Sequence, residues 1–146
     1  MEEHTIYPKT YGRTLTTQTL PDGFKNYFAS LTNPTHKRLI IQRLIADVEA
    51  IHAMLSSHES RMFSASILFV YEGHEEALEI GIQSEARGEV VDEEDEEDED
   101  EMVPQYISKT KLIDFAHAEF RDGEGPDHNV LPGVQKVLEL LKMLLV

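Results

Sequence analysis

From Thr32 to about Ser57 the apolar residues Leu39, Ile40, Leu44, Val48, Ile51 and Leu55 recur three or four positions apart. That spacing predicts an amphipathic helix. Thr32 or Asn33 is a suitable cap, and Pro34 falls in the first turn, where a missing N–H costs little. The period then shortens to two. In "MFSASILFVYEG", Phe63, Ala65, Ile67, Phe69 and Tyr71 alternate with Ser64, Ser66, Leu68 and Val70, and Gly73 ends the run. The β-branched and aromatic content predicts a strand, largely buried. A second strand is expected in "YISKTKLIDFA", where Ile107, Lys109, Lys111, Ile113 and Phe115 alternate with Leu112 and Asp114. After the turn-rich "RDGEGPDHN", helical spacing returns at Val130, Val134, Val137, Leu138, Leu141 and Leu145, with Pro132 tolerable only in the first turn. A short helix is expected near "LPDGFKNYFASL".

Two strands adjacent in sequence most simply pair antiparallel, which makes residues 74 to 105 an overgrown hairpin loop. The expected class is α+β. At 146 residues the chain is the size of one domain and carries no internal repeat. The net charge of −15 is concentrated: "DEEDEEDEDE", Asp92 to Glu101, holds ten of the 28 acidic residues, and the remaining 18 face 13 basic ones. Such a block repels itself and buries nothing, so disorder is expected over about 80–104. Its bland role is a solubilising loop; its functional role is a surface for basic proteins. There is no cysteine, which excludes disulfides and thiolate metal sites. The N-terminus lacks a leader pattern and the longest apolar run, "ILFVY", is too short to span a bilayer, so a soluble intracellular protein without a transmembrane segment is expected. No basic patch interleaved with aromatics argues for direct binding of nucleic acid.

The stretch "KLIDFAHAEF" places a carboxylate, Asp114, at the end of an apolar strand and an imidazole, His117, three residues later. If the strands pair, Ser66 and Asp114 can face one another across the hairpin as hard oxygen ligands. Magnesium takes one or two carboxylates from a protein and fills its octahedron with water and phosphate oxygens, so Asp114 suits a nucleotide-bound Mg²⁺ better than a metal cage. On residues alone a strand-end aspartate capping a turn is an equal alternative, and an isolated His117 is as readily a plain surface residue. The six other histidines show no ligand spacing, and no nucleophile elbow, P-loop or dinucleotide fingerprint occurs.

Taken in order, "YGRTLT" with "LPDGFKNYF", then "SASILFVYEG", "KLIDFAHAEF" and "GPDHNVLPGVQKVLELL" resemble the C-terminal half of the inositol polyphosphate kinase family. The resemblance runs from about Tyr11 to the C-terminus and skips the acidic run. It implies the C-terminal lobe of a two-lobed, protein-kinase-like fold and transfer of the ATP γ-phosphate to inositol phosphates. By resemblance Asp114 holds Mg²⁺ on the ATP phosphates, in the manner of the kinase D-F-G aspartate, and Ser66 lies near the same metal. His117 faces the inositol phosphate, while Arg13 and Lys111 are candidate cationic contacts. The family's ATP-binding lysine and its P-x-x-x-D-x-K-x-G motif have no counterpart here. The "PDG" of Pro21 to Gly23 lacks the lysine, and Ala65 stands where a serine pair usually begins. The chain is thus expected to be half of an enzyme, without turnover alone and with apolar surface uncovered on the "SASILFVYEG" sheet. Basic nuclear proteins are expected partners of the acidic run, and nucleus or cytoplasm the expected location.

Overall fold

A computed structural model describes residues 5–89, 106–114 and 117–146. The elements, in chain order, are α1 (Lys9–Thr14), α2 (Leu20–Tyr27), α3 (Pro34–Ser57), β1 (Ser60–Arg61), β2 (Ser66–Tyr71), α4 (Glu75–Ala86), β3 (Ser108–Ile113), β4 (Glu119–Phe120) and α5 (Leu131–Met143). The architecture is α+β, as expected.

Helix α3 is the spine. Its cap is Asn33, whose side chain accepts from the Thr35 and His36 N–H groups at 2.9 and 3.3 Å, with Pro34 in the first turn. Ile40, Ile41, Leu44, Ile45, Val48 and Leu55 are buried along it, facing Val134, Leu138 and Leu141 of α5. Each such side chain contributes about 1.5–3 kcal/mol by leaving water. Phe28, Leu31, Leu78 and Ile107 close the same core. No helix of the described residues is long and apolar enough to cross a membrane.

Strands β2 and β3 pair antiparallel, with Ser66 opposite Ile113, Leu68 opposite Lys111 and Tyr71 opposite Ser108. Ile67, Phe69 and Tyr71 pack on the helical core. The strand is not largely buried, however: Ser66, Leu68 and Val70 are exposed, Leu68 by 42% and Val70 by 54%. A two-stranded sheet with helices on one side leaves its second face in water. Apolar surface does stand uncovered on this sheet.

Residues 75–86 depart from the expected loop: they form α4, so the order reaches well into the stretch expected to be disordered from about 80. The charges and Gly81 blur the helical period in sequence. Tertiary contacts supply what propensity lacks. His74 caps the helix through its ring nitrogen, and Glu75 and Glu76 in the first turn complement the helix dipole. Thr32 donates to Glu75 at 3.0 Å, His36 bonds Glu79 at 2.8 Å, and Arg43 pairs with Glu85. The His36 hydrogen bond, then that of Gln83, holds the Glu79 carboxyl below its usual range. Gly81 is required by packing: a Cβ there would stand 2.5 Å from Cγ2 of Ile107. The acidic run Asp92–Glu101 lies outside the described residues.

Candidate functional site

Two ladders lie along neighbouring stretches of chain. In β1–β4, Ser60 pairs with Phe120 and Arg61 with Glu119; in β2–β3 the pairing resumes at Ser66 and Ile113. The pairing of Ser66 with Ile113 is one residue out of step with that of Ser60 with Phe120, so the register slips by one residue between the two ladders. The two ladders are separate two-stranded antiparallel sheets that follow one another along the same two stretches of chain, with an interruption between them. An extra residue on one strand re-aims side chains, and such irregularities collect beside functional sites.

Both non-glycine residues with positive φ among the described residues fall in this interruption: Ser64 at φ 61° and Asp114 at φ 59°. A side chain in the left-handed region costs about 1–3 kcal/mol unless its surroundings enforce it. Here the enforcement is the paired backbone on either flank. Asp114 is exposed, immediately past the last paired residue of β3. This corrects the expected geometry: Ser66 faces Ile113 across the hairpin, not Asp114, because the strand ends at Ile113 and the left-handed turn breaks the alternation. Ser66 and Asp114 still meet at one end of one hairpin. His117 follows, exposed, two residues before β4. Beneath this end a cavity of about 430 Å³ runs from Ala65, Ser66 and Leu112 to Asn129, Val130 and Gly133 at the start of α5.

Lys111 is exposed on the outer face of β3 opposite Leu68. Arg13 is exposed in the last turn of α1, and among the described residues no hydrogen bond or ion pair joins it to Ser66, Asp114 or His117. The structure therefore gathers Ser66, Asp114 and His117 around the interruption, places Lys111 along the adjoining sheet, and does not link Arg13 to them.

The far flank of the interruption is densely bonded. The Glu59 carboxylate accepts from the N–H groups of Gly123 at 2.6 Å and Gly125 at 3.1 Å, while its carbonyl accepts from Arg121 N–H at 2.7 Å. Both glycines have positive φ, 82° and 74°, which turns their N–H groups toward one anion. Those two bonds, Gly123 first, hold the Glu59 carboxyl below its usual range. Arg61 donates to the Gly125 carbonyl at 2.9 Å and the Glu124 carbonyl at 3.1 Å. Arg121 stands 5.9 Å over the Phe63 ring. Asp127, only 2% exposed, accepts from Met62 N–H at 2.9 Å, Asn129 N–H at 3.0 Å and Val130 N–H at 3.1 Å. Burial pushes its carboxyl up, but these donors and the Arg61 guanidinium outweigh it and leave the value lowered. The sequence reading passed over Ser64, Glu59 and Asp127. Only Asp127 left a signal, an aspartate just ahead of a helix.

Among the described residues no three His, Asp or Glu side chains cluster as a metal cage. A single exposed carboxylate fits a metal that arrives with phosphate and water ligands of its own.

The described residues thus form an α+β fold with an exposed carboxylate at a left-handed turn beside an interrupted antiparallel pairing. The inositol polyphosphate kinase family matches residues 1–142, and the chain belongs to it. It is 29% identical over 155 residues to the inositol polyphosphate multikinase of Saccharomyces cerevisiae, covering 90% of this chain and 43% of that protein. The crystal structure of the inositol phosphate multikinase Ipk2 of S. cerevisiae, in complex with ADP and Mn²⁺, superposes with a TM-score of 0.68 at 31% identity, over 94% of this chain and 50% of that one. The chain thus spans about half the length of the relatives it matches.

Proposed function

We propose that this chain is the C-terminal lobe of an inositol polyphosphate kinase and carries the metal-facing side of ATP-dependent phosphorylation of inositol polyphosphates. The observation that carries the reading is Asp114 held left-handed in the interrupted pairing: backbone strain is retained there for a solvent-facing carboxylate. Mg²⁺, when bound with ATP, would neutralise phosphate charge as the γ-phosphoryl group transfers. Asp114 is the chain's ligand for that ion, and Ser66, at the same end of the hairpin, offers its hydroxyl beside it. His117 supplies an imidazole donor toward the anionic acceptor, and Lys111 and Arg13 are cationic contacts of lesser weight. The exposed face at Leu68 and Val70 is where the other half of the kinase fold packs.

Calorimetric titration with Mn²⁺–ADP tests this directly. The full chain is expected to bind Mn²⁺–ADP, and Asp114→Asn to weaken binding by roughly a hundredfold, in line with loss of a charged metal contact. Equal affinity of wild type and Asp114→Asn removes the reading. Radiolabelled phosphate transfer to inositol trisphosphate, with the other half of the fold supplied in trans from the yeast multikinase, then reports whether this chain supports turnover.

A further inference from the structure

Asp114 and His117 adjoin different anchors: Asp114 follows Ile113, the end of the β2–β3 ladder, and His117 comes two residues before Glu119, in a ladder of only two pairs, Ser60–Phe120 and Arg61–Glu119. So short a ladder does not hold a chain by itself. What reinforces it is the Glu59 carboxylate, seated on the Gly123 and Gly125 N–H groups directly beyond β4, and the Arg121 N–H on the Glu59 carbonyl. We propose that Glu59 is a positioning residue for the acceptor side of the site: its carboxylate latches the 121–125 loop and thereby fixes β4 and His117, two residues ahead of it.

The two anchors are separate, and this gives the proposal its signature. Asp114 adjoins the β2–β3 ladder, in which Glu59 has no part. His117 adjoins the β1–β4 ladder, which the latch secures. Releasing the latch therefore moves the acceptor contact and leaves the metal contact in place. Arg61 and Asp127 bind the same two stretches of chain and keep the fold intact when Glu59 is replaced. The proposal rests on the kinase reading for the identity of the acceptor, but not for the mechanics of the latch.

The test compares the full-length wild type with Glu59→Ala and Glu59→Gln, and with Lys136→Gln as a surface control, by calorimetry with inositol trisphosphate and with Mn²⁺–ADP and by amide hydrogen exchange. Glu59→Ala is expected to weaken inositol trisphosphate roughly tenfold while Mn²⁺–ADP changes by less than about twofold, since a small displacement of a positioned group is felt chiefly by its own ligand. Glu59→Gln, which keeps one acceptor oxygen, falls between. Exchange is expected to speed up at residues 117–125 and to stay unchanged at 108–113. Equal weakening of both ligands overturns the proposal, because that is the signature of a general loss of structure. So does unchanged inositol trisphosphate affinity with the 121–125 loop released. If the wild type binds neither ligand, the kinase reading fails on its own, and exchange decides the latch: selective release of 117–125 supports it, and no change, or release of 108–113 as well, overturns it.

Discussion

The seam between α3 and α5 and the interruption between the two ladders are built on opposite terms. In the seam, Ile40, Ile41, Leu44 and Val48 are wholly buried against Val134, Leu138 and Leu141, and their backbone is regular helix. At the interruption, Ser66, Asp114 and His117 are exposed, two backbones are left-handed, and the chain is held by carboxylate-to-amide bonds. The first region holds the buried apolar core, and the second is where the proposed chemistry would lie. Asp127 joins them: it is buried under the start of α5, yet its bond to Met62 N–H fixes the chain entering the interruption. The folded seam thus supplies the rigidity that a strained, solvent-facing carboxylate requires.

The comparison predicts a ranking of effects. Leu44→Ala in the seam is expected to cost about 2–5 kcal/mol, because the packed helices cannot collapse onto the void. Chemical denaturation checks it; a loss under 1 kcal/mol would show that the seam is not the main source of stability. Asp127→Ala is expected to cost about 1–3 kcal/mol by orphaning three backbone donors. Its pH dependence has a definite sign. The folded carboxyl titrates below its unfolded value, so its stabilisation is complete above the ordinary carboxylate range and disappears as pH falls through the folded value. Melting curves from neutral to acid pH should show wild type and Asp127→Ala converging; parallel curves would contradict the lowered value.

Asp114→Gly breaks the comparison in the other direction. Glycine adopts a φ of 59° freely, so the variant is expected to be more stable by about 1 kcal/mol while losing metal-dependent ADP binding. A destabilised variant would mean that the aspartate makes a structural contribution larger than its backbone strain. The smallest effect is expected at Leu68→Thr on the outer sheet face, within about 0.5 kcal/mol by denaturation, since that side chain is already in water.

Much of the fold was legible because burial imposes period. The spacing in "LIIQRLIADVEAIHAML" marked α3 closely, and the alternation in "SILFVY" and "SKTKLI" marked β2 and β3, because one side of each element must meet the core. Helix α4 escaped the reading: Glu75, Glu79, Glu85 and Gly81 have meaning only beside Thr32, His36, Arg43 and Ile107, which are distant in sequence. At the site, residue types pointed to Ser66, Asp114 and His117, while the facing of Ser66 by Asp114 did not hold.

By itself, then, the sequence determined helices α2, α3 and α5 and strands β2 and β3, and that a carboxylate and an imidazole follow the second of those strands, because hydrophobic period and side-chain chemistry are local properties. Tertiary structure alone decided the register slip, the left-handed backbone at Ser64 and Asp114, and the latching of Gly123 and Gly125 by Glu59. Each depends on hydrogen bonds between segments 37 to 66 residues apart in the chain, and no local pattern encodes which donor meets which acceptor.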